Sequence, residues 1–312
     1  MGTITDMDME IRYQIDDLPN YARTLPPSEG EGRGLVFSGA GDSMAAALAA
    51  EHYSGYEAPA LDPYNLALDP EPLKGKNLYL ISVSGRTTAN IGAAKAAREY
   101  ARSITAITAD PQSRLAQLCD RSIELRFRRT GNLTPGTNSF TVSLLAVLSR
   151  LRRLPPIGDL HGTYERAKAW ASGIQMDEGR TIFFVGITGL HPLTLYGAAK
   201  VYETLGWRAQ CQHLEQFSHM ELFSLTSGDT VIILSSPQEV NGRSVKLVEA
   251  LRGLDINTYL LKSEAEDYVN LCLNTAIHLQ VLAWTLAVRK GLSDCAFLTK
   301  RSLLKASDKM IY

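Results

Sequence analysis

The sequence is short of the features that announce the commonest chemistries. Its four cysteines, Cys119, Cys211, Cys272 and Cys295, stand far apart and form no C-x-x-C pair. That argues against a structural zinc site and against a dithiol redox centre. Scattered lone thiols fit a reducing compartment, so a cytoplasmic location is expected. No run of roughly 18 apolar residues occurs, and no membrane-crossing segment is expected. The opening "MGTITDMDMEIRYQIDD" is acidic and has no apolar stretch, so no signal peptide is expected. Neither charge is in excess: 32 Lys+Arg stand against 33 Asp+Glu, a net −1. Such a balance sets up no field for nucleic acid or anionic lipid, and no basic helix pair offers a DNA footprint. Nucleotide fingerprints are missing too. Gly39-x-Gly41 is followed by Ala45-Ala46 and not by a third glycine, and no G-x-x-x-x-G-K-[ST] occurs. A dinucleotide or ATP is not expected, and neither is any other cofactor or a metal.

What is present is an alternation of strand and helix. "GLVFSGAGDS" reads as a short buried strand, Leu35–Phe37, that breaks into a glycine turn. "DSMAAALAAEHYSG" follows as a helix, with Asp42 or Ser43 expected to cap it. "NLYLISVS" is a strand and "TTANIGAAKAAREYAR" a helix with Thr87 or Thr88 near its cap. "SITAIT" and "SIELRF" are strands, and "TNSFTVSLLAVLSRL" is a closing helix. Apolar strands separated by helices signal a parallel sheet covered on both faces. Pro155-Pro156 with two glycines marks a linker. Then the pattern repeats: "TIFFVGITG", "HPLTLYGAAKVYETLG", "TVIILSS", "SVKLVEALRGL", "INTYLL" and the long apolar "LNTAIHLQVLAWTLAVRKG". The second half reads as a degenerate copy of the first, offset by roughly 150 residues. The tail "FLTKRSLLKASDKMIY" is amphipathic and reads as a short helix.

Two polar clusters fall where strands end and helices begin. "SGAGDS" supplies Ser38, Gly39, Gly41 and Ser43; "SVSGRTT" supplies Ser82, Ser84, Gly85, Thr87 and Thr88. In open parallel sheets, ligands sit beyond the carboxyl ends of the strands. A helix N-terminus there presents free N–H groups and partial positive charge, which favour an anion. Either cluster alone reads equally as caps and turn residues. Two at consecutive strand ends point to an anion, and hydroxyl donors without net charge suit a phosphate monoester.

The second half supplies titratable residues. "KVYETLGWRAQCQHLEQFSHMELF" holds Glu203, His213, Glu215, His219 and Glu221. Glu203 falls in the last turn of its helix, three residues before Gly206, a left-handed C-terminal glycine by pattern. A carboxylate there faces the negative helix end at a cost of about 0.3–1 kcal/mol. Such a placement raises a carboxyl toward a general base. Taken alone, Glu203 reads more readily as a surface glutamate, and His219 as a capping or packed histidine. Lys300 and Lys305 read as solvated lysines of a basic tail.

The glycine turn with serine, followed by Ser-x-Ser-Gly-x-Thr at Ser82–Thr87, resembles the sugar isomerase (SIS) domain. About Gly34 to Lys305 follows the double-SIS arrangement. It is similar to the isomerase half of glucosamine-6-phosphate synthase and, more distantly, to archaeal phosphoglucose/phosphomannose isomerase. The early "EIRYQIDDLPNYARTL" is similar to the synthase's lead-in. The resemblance implies an α/β fold of two tandem SIS domains, each a parallel sheet flanked by helices in a flavodoxin-like or Rossmann-like sandwich. The expected boundaries are a lead-in at 1–33, a first SIS domain at 34–153, a linker at 154–162, a second SIS domain at 163–290 and a tail at 291–312.

The resemblance also implies roles. Ser82, Ser84 and Thr87 would hold a sugar phosphate, with Gly41, Ser43, Gly85 and Thr137 in the binding set. Glu203 and His219 have the family's spacing of sixteen residues. The glutamate would move a proton between C1 and C2, and the histidine, from a neighbouring subunit, would open the ring; a homodimer is expected. Lys300 or Lys305 would complete the site. There are departures. The synthase has a glutaminase domain with an N-terminal cysteine, whereas this sequence begins Met1-Gly2-Thr3, so glutamine-dependent amination is not expected. The archaeal isomerases carry Pro-Arg where this chain reads Pro135-Gly136-Thr137. The expectation is a phosphosugar aldose–ketose isomerase acting on a hexose or hexosamine 6-phosphate. The alternatives are a glucosamine-6-phosphate deaminase and a phosphosugar sensor without turnover.

Overall fold

The alternation of strand and helix folds into two sheets, every strand pair parallel. A computed structural model describes residues 2–26 and 33–312. Met1 and residues 27–32, which fall in the expected lead-in, lie outside the described residues. The chain divides into two compact units. The first comprises Asp16–Arg129, Asn138–Pro156 and Lys300–Tyr312; the second comprises the chain up to Ile15, Thr130–Thr137 and Ile157–Thr299. Helix α1 (Thr3–Thr24) runs through both and contains Pro19. A proline there cannot donate to the carbonyl four residues back, Ile15, where the division falls.

The first unit continues with β1 (Leu35–Gly39), α2 (Asp42–Tyr53), β2 (Ala60–Leu61), α3 (Pro63–Leu68), β3 (Asn77–Ile81) and α4 (Thr88–Ala97). Then come β4 (Ser103–Thr108), α5 (Arg114–Leu118), β5 (Arg121–Glu124) and α6 (Asn138–Leu148). The sheet order is β2-β1-β3-β4-β5. Successive strand residues point to opposite faces. Val36, Leu78, Leu80, Ile104 and Ala106 pack under Leu66, Ile91, Ala94 and Leu115 of α3, α4 and α5. Their neighbours Phe37 and Tyr79 stack at 5.2 Å on the other face. That double burial explains why the strands read as continuous apolar runs.

The second unit holds α7 (Leu160–Ser172), β6 (Ile182–Gly186), α8 (His191–Leu205), β7 (Ala209–His213), α9 (Leu214–His219) and β8 (Thr230–Ser235). It closes with α10 (Arg243–Leu251), β9 (Asn257–Lys262), α11 (Tyr268–Arg289) and α12 (Ala296–Thr299); α13 (Arg301–Ile311) returns to the first unit. The order is β7-β6-β8-β9, matching β2-β1-β3-β4 strand for strand. The duplication read from the sequence is therefore a duplication of topology. Phe183, Val185, Val231 and Ile233 pack on Phe217, Leu247 and Leu251. α11 is long and apolar enough to cross a membrane, but 72% of its most apolar window is buried. It packs on α7 and α8 as a core helix.

One cap differs from expectation. α2 starts at Asp42 on Gly41, with no side-chain cap. Gly41 itself turns the chain, at φ 58°. Thr87 does stand at the N-cap of α4, but its hydroxyl does not bond the helix's first turn.

Candidate functional site

The carboxyl edge of the first sheet carries a cup of hydroxyls. β3 ends at Ile81, and Ser82 is the next residue. Ser82 Oγ lies 3.0 Å from Thr87 Oγ1 and accepts from the Gly85 N–H at 3.2 Å. Ser84 Oγ accepts from the Arg86 N–H at 3.3 Å. Gly85 makes the turn possible: its φ is +62°, and a Cβ there would lie 2.1 Å from Ser113 Oγ. Because the Thr87 hydroxyl is drawn to Ser82, the first turn of α4 keeps N–H groups without a side-chain acceptor. On the adjacent strand, Gly39 lets α2 come close, since a Cβ would meet Ser43 Cβ at 2.6 Å. Ser43 is buried in that first turn, and Ser38 Oγ is buried with no partner among the described residues. The hydroxyls are neutral donors, which suit an oxyanion; the Asp42 carboxylate stands beside Ser43 in the first turn of α2.

The tail reaches this cup by its far end. Thr88 Oγ1 donates to the Ile311 carbonyl at 2.8 Å, and the Arg86 guanidinium lies over the Tyr312 ring at 5.3 Å. Lys300 caps the start of α13 and Lys305 lies in its second turn, both exposed. By helical rise, Lys300 is about 16 Å from Ile311.

In the second unit, Glu203 stands in the last turn of α8, and Gly206 closes the helix at φ 68°. The carboxylate does not face the helix's negative end alone. Lys200, one turn back and fully buried, places Nζ 2.5 Å from Glu203 Oε2. The same ammonium donates to the Gly136 carbonyl at 3.2 Å, and Tyr196 Oη donates to it at 2.6 Å. Thr137, next in the chain, is fully buried and donates to Glu10 Oε2 at 3.4 Å.

His219 is the last residue of α9, its side chain 71% exposed and its Nε2 3.2 Å from Glu215. Glu215 also pairs with Arg243 at 2.7 Å. His213 stacks on His191 with ring centres 3.8 Å apart. Burial, and then His213, push His191 down to about 4. Among the described residues, no group of three or more His, Cys, Asp or Glu side chains could hold a metal ion.

The structure brings Ser82, Ser84, Gly85 and Thr87 together in the first unit. Glu203, His219 and Thr137 belong to the second.

Comparison with known proteins rests on structure. No protein-family model and no curated protein matches the chain. Solved structures do match. Glucosamine-6-phosphate deaminase from Thermotoga maritima aligns at TM-score 0.75 and 19% identity, over 92% of this chain and 95% of its own. The C-terminal domain of glucosamine-fructose-6-phosphate aminotransferase from Francisella tularensis aligns at 0.71 and 15%, over 91% and 96%. Tagatose-6-phosphate ketose/aldose isomerase from Escherichia coli aligns at 0.66 and 18%, over 92% and 91%.

The fold is the double-SIS fold.

Within the second SIS unit, sequence reasoning passed over Lys200. The i, i+3 spacing to Glu203 was the available signal, because such residues share a helix face. It also passed over the polar core behind Lys200. Gln280 Nε2 donates to Tyr196 Oη at 2.9 Å, and Gln14 Nε2 donates to Gln280 Oε1 at 2.6 Å. Glu10 accepts from Thr130 N and Oγ1, both at 2.9 Å, and from Thr134 Oγ1 at 2.6 Å. These bonds hold segment 130–137, and with it the Gly136 carbonyl, on the second SIS unit. Nothing local in the sequence ties residues 10, 136, 200 and 280 together.

Proposed function

We propose that the chain is a phosphosugar aldose–ketose isomerase acting on a hexose or hexosamine 6-phosphate. The observation that carries this reading is the cup of Ser82, Ser84 and Thr87 around the left-handed Gly85, whose hydroxyl and N–H donors suit an oxyanion. Ser82, Ser84, Thr87 and the first-turn N–H groups of α4 hold the phosphate, with Ser43 and Gly41 on the adjacent strand end. Glu203 is the base. It takes the proton from C2 of the open-chain aldose, an enediol forms, and the proton returns to C1 as the carbonyl passes to C2. Lys200 aims the carboxylate. His219 assists ring opening from a partner subunit. Its exposed neighbours Met220 and Phe223 give the tip an apolar surface that suits a second copy. Lys300 or Lys305 enters from the tail. The four free cysteines suit the cytoplasm.

A second reading, an amino-sugar phosphate deaminase, draws on the likeness to the Thermotoga deaminase and on Gly136, where the archaeal isomerases carry arginine. It shares the enolisation step and then expels ammonia. Incubation in D2O with hexose and hexosamine 6-phosphates, followed by NMR and an ammonia assay, separates the two. Deuterium at C1 or C2 with a new ketose and no ammonia supports the isomerase. Ammonia from an amino sugar supports the deaminase. Phosphosugar binding without exchange means a sensor.

A further inference from the structure

The second SIS unit has its own turn at the place where the first unit has its cup. In the first sheet Gly39 pairs with Ile81, and Ser82 follows; in the second sheet Gly186 pairs with Leu234, and Ser235 follows. Ser82 and Ser235 are therefore equivalent by register. Each reaches a hydroxyl at the start of the next helix: Ser82 to Thr87 at 3.0 Å, Ser235 to Ser244 at 3.2 Å. The second pair is occupied. Glu239 Oε2 accepts from Ser235 Oγ at 2.8 Å and from Ser244 Oγ, and Glu239 Oε1 accepts from the Ser244 N–H at 2.6 Å. Burial pushes this carboxyl up, but the bonds from Ser244, Ser235 and the Arg243 N–H outweigh it and hold it below the usual range. The carboxylate thus sits ionised on the donors that the equivalent turn leaves to an oxyanion.

Two further features lie beside these bonds and leave room and a donor for an anion. A cavity of about 380 Å³ opens beside it, lined by Gly186, Ile187, His213, Glu215, Glu239 and Arg243. Ser236, 2% exposed, has a hydroxyl with no partner among the described residues.

We propose that Glu239 is the resident anion of a second phosphate cradle, which it closes, so that the chain takes one phosphorylated ligand and not two. The proposal rests on the reading of the Ser82 cup as a phosphate site. It explains why a duplicated fold would carry a single anion site: the second copy supplies its own carboxylate, tethered and always present. A tethered group competes at high effective concentration, so free phosphate at moderate levels does not displace it.

The test is a titration of the ¹⁵N-labelled full chain with inorganic phosphate, read at individual amides. Wild type should show movement at Gly85 and Arg86 and none at Arg243 and Ser244. Glu239→Ala should add saturable movement at Arg243 and Ser244 at millimolar phosphate. Glu239→Gln keeps the size and removes the charge, and should show the same gain with smaller amplitude; it serves if the alanine variant does not fold. Movement of Arg243 and Ser244 in wild type to the extent seen in Glu239→Ala overturns the proposal. So does a folded Glu239→Ala, or a folded Glu239→Gln in its place, in which those amides stay still. Silence at Gly85 and Arg86 with a gain at Ser244 would sink the first cup as a phosphate site and leave the plug standing.

Discussion

Ser82 and Ser235 each stand one residue past the same register point, and the turns that follow end in opposite chemistry. After β3, two hydroxyls 3.0 Å apart face each other around Gly85, and among the described residues no acid bridges them. After β8, a carboxylate bridges the equivalent pair. The helix-end glutamates diverge in the reverse sense. α2 and α8 each carry one two residues before the last residue of the helix, Glu51 and Glu203. Glu51 accepts from the Ala60 N–H at 3.1 Å and anchors β2, a structural task. Glu203 instead meets a fully buried ammonium. One topology, used twice, carries a hydroxyl pair in the first copy and a glutamate paired with a buried lysine in the second. The lesson is that duplicated backbone supplies equivalent places, and side chains decide which place is filled from within.

The largest break in that comparison should come at Glu203. Glu203→Gln is expected to lower exchange of the C2 proton about 10²–10⁴-fold while phosphosugar binding persists. The equivalent Glu51→Gln should leave turnover within a few-fold. Next is Lys200→Met, which removes the ammonium paired with Glu203 and one of two donors to the Gly136 carbonyl. A loss of about 2 kcal/mol in urea unfolding is expected, below the value for a fully buried pair because Glu203 is 35% exposed. Ser82→Ala removes a donor to a charged ligand and should weaken phosphosugar binding about tenfold by calorimetry. Ser235→Ala, on the closed side, should leave that affinity unchanged.

A smaller contrast lies in the glycines. Gly85→Ala combines left-handed backbone with a clash on Ser113 and should cost about 2 kcal/mol. Gly242→Ala has φ +57° but nothing within 4 Å, and should cost about 1 kcal/mol. Thermal unfolding of the two variants checks the difference. The gentlest test is acid. His191 titrates at about 4 in the fold against an ordinary 6.5, held down by burial and His213. The unfolded chain therefore takes the proton first, so this stability is intact above about 6.5 and drains as pH falls toward 4. His213 and His278, also in the second unit, are lowered by burial in the same direction. Amide protection should fail earlier on acidification in the second unit, and His191→Gln should narrow the gap.

Much of the fold was legible in the sequence because the strands are buried on both faces and read as unbroken apolar runs. "NLYLIS" and "TVIILS" could hardly be anything else, and the glycine–serine turns after them announced the strand ends. Ser82, Ser84 and Thr87 were legible as a hydroxyl-rich strand end for the same reason. The cap of α2 was misread because Gly41 turns the chain with its own left-handed backbone, leaving Asp42 inside the helix. Glu203 was legible by its position at a helix end, yet its environment was not, since Lys200 is fully buried on the same face. Glu239 gave no sign at all: "SSPQEVNGRS" reads as an ordinary polar turn until its carboxylate is seen between two serines.

By itself the sequence determined the principal strands and helices of both halves, the parallel class of both sheets, the repeat and the hydroxyl-rich strand end. These follow from periodicity and turn chemistry, which act over a few residues. Only the tertiary structure decided that Gly136 would present its carbonyl to Lys200, that Gln14 would meet Gln280 across the core, and that Glu239 would fill its own cradle. Those pairings join residues that chain proximity does not bring together or that a turn must fold back on itself to join. Their physical cause is the need of each buried polar group for a partner, which no local pattern encodes.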